Sequence, residues 1–93
     1  MVNLTPTMEN YLKMIYRLHV YEPSGAVYTC EVALRLGVSK PSACRATDLL
    51  AMKGLLRKDR YKRIYLTADG ISQAKLIVKR YTVIEHLNSR PKI

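Results

Sequence analysis

The chain has 93 residues, 48% of them hydrophobic and 25% charged, which is enough apolar content for one small core and too much for a disordered tail. Sixteen Lys and Arg against seven Asp and Glu leave a formal charge of +9, which favours polyanionic partners: nucleic acid first, then an anionic membrane surface or an acidic protein. No apolar run reaches the roughly 18 residues of a membrane span, and Met1-Val2-Asn3-Leu4-Thr5-Pro6 lacks the basic and apolar regions of a secretory signal, so a cytoplasmic protein without membrane contact is expected.

The first element is a helix predicted at about 5–20. Thr5 can accept free backbone N–H groups as N-cap, Pro6 suits the first helical position, and Met8, Tyr11, Leu12, Ile15 and Leu18 recur at helical spacing. Glu22-Pro23-Ser24-Gly25 ends it with turn residues. A second, short helix at about 30–36 is expected to bury Val32, Ala33 and Leu36, with Gly37 following where a left-handed backbone favours glycine. Val38 is expected to plug the angle before Ser39 caps a third helix. Pro41 stands in that helix's first turn, where no hydrogen bond is lost, and Ala43, Ala46, Leu49 and Leu50 form its apolar face. Gly54 closes the third helix, so the helix-turn-helix covers about 30–53.

Leu55-Leu56 then begins a strand, 57–63 is a basic reversal and Ile64-Tyr65-Leu66 is the returning strand, together a two-stranded wing at about 55–66. Thr67 caps a last helix at about 67–89. Its apolar positions Ile71, Ala74, Ile77, Val78, Tyr81, Ile84 and Leu87, widened by Leu76 and Val83, make a broader stripe than one small core needs, which points to a second copy of the chain as partner. The expected fold class is mainly α with a small β-hairpin: a single winged helix-turn-helix domain with a long C-terminal helix.

Function is carried by Ala33-Leu34-Arg35-Leu36-Gly37-Val38-Ser39-Lys40-Pro41-Ser42. A small residue lets two helices cross closely, a glycine turns the chain, and small polar residues open a helix that can enter a major groove about 12 Å wide. Ser39 and Ser42 can bond phosphate or base, Lys40 supplies charge to the backbone, and Arg45, one turn on, can pair bidentately with guanine. Arg57-Lys58-Asp59-Arg60-Tyr61-Lys62-Arg63 places five basic residues, Arg57, Lys58, Arg60, Lys62 and Arg63, where a wing would lie along the sugar-phosphate backbone. Tyr61 could stack, bond phosphate or simply pack. Cys30 and Cys44 match no zinc spacing and read as small buried or half-buried thiols. Their places on adjacent helices leave a redox-responsive regulator as one open reading.

Met8-Glu9-Asn10-Tyr11-Leu12, Ile15-Tyr16-Arg17-Leu18, Leu36-Gly37-Val38-Ser39-Lys40-Pro41-Ser42, Lys53-Gly54-Leu55 and Leu66-Thr67-Ala68-Asp69-Gly70 follow in order, and over about 5–88 the chain resembles the N-terminal part of the DtxR/MntR family of iron- and manganese-dependent repressors. The resemblance implies a homodimer on an operator palindrome of double-stranded DNA, controlled by a divalent metal, with Ser39, Pro41 and Arg45 facing bases and Pro41 touching a thymine methyl. Its metal positions fall on Asn10, Lys13, Tyr81 and Glu85, of which only Glu85 matches a family ligand. Lys13 repels a cation, tyrosine is a poor ligand for divalent iron or manganese, and Glu85 and His86 are adjacent on a helix and do not face one another. Iron or manganese therefore enters through the resemblance only, and no metal ligand is assigned. Arg63 stands where the family often has a wing-turn glycine. The chain stops soon after Pro91, where the family continues, so a short form or an N-terminal fragment is expected.

The function expected is a sequence-specific, repressor-like DNA-binding transcription regulator. The alternatives are a winged-helix protein–protein adaptor, suggested by the wide last helix, and a metal- or redox-responsive regulator. No enzyme is expected: no Gly-rich phosphate loop or paired carboxylate motif is present, and neither His19 nor His86 is placed by sequence beside a cysteine.

Overall fold

In a computed structural model, which describes residues 4–88 and side chains as far as Arg80, the elements run α1 (Pro6–Tyr21), β1 (Val27–Tyr28), α2 (Thr29–Leu36), α3 (Lys40–Met52), β2 (Leu56–Lys58), β3 (Arg63–Leu66) and α4 (Ala68–Asn88). Each helix begins or ends where local chemistry dictates. The Thr5 hydroxyl accepts from the Met8 N–H at 3.2 Å and Pro6 opens α1. Gly37 ends α2 at φ 68°, which lets Val38 N–H return to the Ala33 carbonyl at 3.0 Å. Ser39 caps α3 by accepting from Ser42 N–H at 3.2 Å.

The two-stranded wing that the sequence suggests is present, β2 pairing antiparallel with β3 from Leu56 opposite Leu66 to Lys58 opposite Ile64, but it is not alone. A third strand, β1, pairs antiparallel with β3 (Val27 opposite Ile64, Tyr28 opposite Arg63), giving the order β1-β3-β2. Two-residue strands carry no periodicity, so β1 leaves no sequence signal. It puts the start of α2 beside the wing, because Thr29 follows Tyr28 directly.

One core joins all of this. Leu12 and Ile15 of α1, Val32 of α2, Leu50 of α3, Leu55 before β2 and Ile64 of β3 are fully buried, with Ala74 and Ile77 of α4 against them. Each large aliphatic side chain contributes about 1.5–3 kcal/mol by leaving water. Three expectations fail at the edges. Val38 is 37% exposed and plugs nothing, Leu36 is only half-buried, and Leu49 faces outward. The apolar face of α3 is instead completed by Thr47, whose buried hydroxyl donates to the Ala43 and Cys44 carbonyls at 2.9 and 3.0 Å.

The joint between wing and α4 explains Leu66-Thr67-Ala68-Asp69-Gly70. The Thr67 N–H donates to the Leu55 carbonyl (3.1 Å), and its hydroxyl donates to Gly54 (2.7 Å) and accepts from the Gly70 N–H (3.0 Å). Gly70 has no room for a side chain, since a Cβ there would collide with the Leu55 carbonyl oxygen. On α4, Leu76 is 62% exposed, whereas Tyr81, Val83, Ile84 and Leu87 lie outside the described side chains. No helix among the described residues is long and apolar enough to cross a membrane.

Candidate nucleic-acid interface

The start of α3 and the tip of the wing lie across one groove. It is lined by Lys40, Pro41 and Cys44 of α3, Tyr61 and Lys62 of the wing tip, and Tyr28, Thr29 and Cys30 at the β1–α2 junction; the space is about 470 Å³. Ser39, Lys40, Pro41, Ser42 and Arg45 are all exposed, so the capped, N-terminal end of α3 is offered to solvent on this side. The Ser39 hydroxyl donates to that of Ser42 at 3.0 Å, which holds both at the helix entrance. Ser42 and Arg45 border a second groove with Thr5, Met8 and Leu49, beside the N-terminal turn of α1.

The five wing cations separate into two groups. Arg57 and Lys58 belong to β2 and Arg63 to β3, so the reversal is shorter than 57–63: Lys62 N–H donates to the Asp59 carbonyl at 3.0 Å, and Asp59 N–H to the Arg63 carbonyl at 3.1 Å. Arg57, Arg60 and Lys62 are exposed. Lys58 turns to α3, with Nζ 2.6 Å from Asp48 Oδ1 and 3.5 Å from the Cys44 carbonyl. Arg63 Nε donates to Asp59 Oδ2 at 2.6 Å, and its guanidinium lies 5.1 Å from the centre of the Tyr61 ring. Lys58 and Arg63 thus brace the wing rather than reach out from it.

Asp59 organises the turn. Its Oδ1 accepts from the N–H groups of Tyr61 (2.9 Å) and Arg63 (3.0 Å). Desolvation acts to raise its pKa, but the hydrogen bonds from the Arg63 backbone and side chain and from the Tyr61 backbone, with the Arg63 charge, outweigh it and hold the carboxyl below its ordinary value. The Arg63 pKa is raised in turn, first by the Asp59 hydrogen bond. Lys62, not Arg63, takes the left-handed backbone of the turn, at φ 63°, and is the one non-glycine residue with positive φ among those described.

Two residues that sequence reasoning missed line the groove. Cys30, expected to be buried or half-buried, is exposed, while Cys44 is half-buried. Thr29 is 9% exposed, and its hydroxyl is buried without a hydrogen-bond partner. Only β1, silent in the sequence, brings Thr29 and Cys30 to this face.

At the positions where the family resemblance puts a metal, Asn10 is exposed and Lys13 is a half-buried cation. The neighbouring Glu9 is ion-paired to Arg80 of α4 at 2.6 Å. An amide and an ammonium group make a poor donor set for a divalent ion. The side chains of Tyr81 and Glu85 lie outside the described residues.

Residues 3–64 match the family model described as "Iron dependent repressor, N-terminal DNA binding domain". The chain is 33% identical over 81 residues to the HTH-type transcriptional regulator MntR of Shouchella clausii, covering 87% of this chain and 55% of that protein. It is 28% identical over 79 residues to the transcriptional regulator MntR of Escherichia coli O157:H7, covering 85% and 50%. It therefore spans about half the length of these relatives, which are transcription regulators and not enzymes. Among solved structures, MepR of Staphylococcus aureus in complex with DNA superposes with a TM-score of 0.74 at 20% identity (96% of this chain, 66% of that one). The DNA complex of Lactococcus lactis ZitR gives 0.70 at 19% (98% and 64%). These last two show the winged-helix fold, and the sequence match shows the lineage: the chain belongs to the iron-dependent repressor family, through its N-terminal DNA-binding domain.

Proposed function

We propose that the chain is a sequence-specific DNA-binding module of a transcription repressor that acts as a homodimer. The observation that carries this is a shared groove: Lys40 and Pro41 at the exposed entrance of α3 and Tyr61 and Lys62 at the tip of the wing border it together, in a protein of charge +9. Ser39, Pro41, Ser42 and Arg45 read base edges while Lys40, Arg57, Arg60 and Lys62 neutralise phosphates. Support for a dimer comes from the exposed Leu76 on α4 and from the two-fold logic of operator binding. Asn10 and Lys13 favour a regulator that works without the family's iron or manganese switch, and the Glu9–Arg80 pair already ties α1 to α4.

The experiment is fluorescence anisotropy with genomic duplex fragments at rising salt. Affinity should fall steeply with salt, with a slope of about −0.9 per phosphate neutralised, while some fragments stay preferred, and added manganese or iron should leave the affinities unchanged. Equal binding to every fragment, or none, would defeat the reading. Light scattering on the same samples should give two chains per palindromic site.

A further inference from the structure

The groove between the wing and the helix-turn-helix holds more than a phosphate cradle requires. Two thiols from different helices, Cys30 at the start of α2 and Cys44 in the second turn of α3, line it together. The rest of its lining is largely apolar and includes Tyr28, Pro41 and Tyr61, with Lys40 and Lys62 among the same residues. Thr29 adds a hydroxyl that is buried and has no partner. A buried polar group left unpaired is costly and calls for an explanation. Tyr28, before α2, supplies no side-chain cap to that helix.

We propose that this groove is a sensing site for flat, soft electrophiles of the α,β-unsaturated carbonyl class, with exposed Cys30 as the nucleophile, and that the adduct blocks DNA binding. The sulfur lone pair forms a bond to the β-carbon. The C=C π pair moves toward the carbonyl oxygen as an enolate, and the proton given up by the thiol ends on the α-carbon, so no oxidant and no leaving group is needed. The ring of such a molecule fits between tyrosine and proline faces. Its carbonyl oxygen, which gains charge during addition, accepts from the Thr29 hydroxyl once that buried side chain turns toward it, and lies near the Lys40 and Lys62 charges. Once attached, the ring fills the space between α3 and the wing where a duplex backbone would pass. The blocking step rests on the DNA reading above; the addition step does not.

The probe is cyclohex-2-enone, followed by intact-protein and peptide mass spectrometry. Cys30 should be modified first. It should react about tenfold faster in the folded chain than in the same chain unfolded in guanidinium, the scale of one added hydrogen bond to the developing charge. Thr29→Val, checked for folding by circular dichroism, should lose that advantage while keeping both thiols. The adduct should weaken DNA binding by about tenfold or more, a shift anisotropy resolves readily. Prior DNA binding should slow the addition, and Cys30→Ser should bind DNA with or without enone. Equal folded and unfolded rates, or a fully modified protein with unmodified DNA affinity, would overturn the proposal. If the unmodified chain binds no duplex, the DNA reading falls, and the rate ratio still decides the sensing site.

Discussion

The entrance of α3 and the wing both present basic residues to the same side, yet they hold them differently. Around Ser39, Lys40, Pro41, Ser42 and Arg45 the side-chain hydrogen bonds are a cap and a hydroxyl pair, and among the described residues Lys40 and Arg45 have no carboxylate partner. In the wing, Lys58 is held by Asp48 and Arg63 by Asp59. In the function proposed above the first cluster is the reading head, whereas the second is partly its own scaffold. Charges that look alike in a sequence thus divide into those that reach for a ligand and those that keep the platform in shape, and a count of Lys and Arg overstates what the wing offers.

The contrast presupposes a wing fixed against α3, and Gly70→Ala should break it outright. The new Cβ collides with the Leu55 carbonyl and pries α4 from the wing, at a cost of about 3 kcal/mol in thermal or urea unfolding. A melting point equal to wild type would mean that the joint is looser than described. Arg45→Ala should then separate reading from gripping, losing about 1–3 kcal/mol on the preferred duplex and far less on random DNA. Uniform loss on both would move Arg45 to the phosphate group.

Within the wing, Arg57→Ala should lower the salt slope of DNA binding by about 1. Lys58→Ala should change it less and cost under about 1 kcal/mol of stability, because its charge is already spent on Asp48. Equal slope changes would erase the distinction. The smallest effect concerns pH. The Asp59 carboxyl sits below its ordinary 3.8 in the folded wing, so its stabilisation is complete above 3.8 and is lost as pH falls through the lowered folded value. The amide resonances of Tyr61 and Arg63 should therefore titrate below 3.8, and in Asp59→Asn they should not titrate there at all.

The caps explain why so much of the helix-turn-helix was legible. Thr5, Gly37 and Ser39 act through neighbours three to five residues away, so the chain itself displays the whole interaction, and of the Thr67 bonds the cap to Gly70 is local in the same way. The wing's ties are of another kind. Lys58 meets Asp48 ten residues back in the sequence, and strand β1 needs Ile64 and Arg63 as partners. No local pattern encodes either. Asp59, the single acid in the basic run, was the visible hint that Arg63 is paired. Val38 failed as a plug: it follows the left-handed turn at Gly37 and is 37% exposed, while Ala33 and Ala43 of the two helices are both buried in the core. The groove thiols were missed for a simpler reason: burial of Cys30 was inferred from residue type, while its surroundings are set by a strand that the sequence does not announce.

Lys62 carries a left-handed backbone at the tip of the wing, a conformation that costs a side-chain-bearing residue about 1 kcal/mol and glycine almost nothing. Shape asks for glycine at this position and the polyanion asks for a cation, and the chain sides with the cation. If the tip grips a duplex as proposed, position 62 is a dial between durability and grip: a glycine would firm the tip and loosen its hold, and the lysine does the reverse.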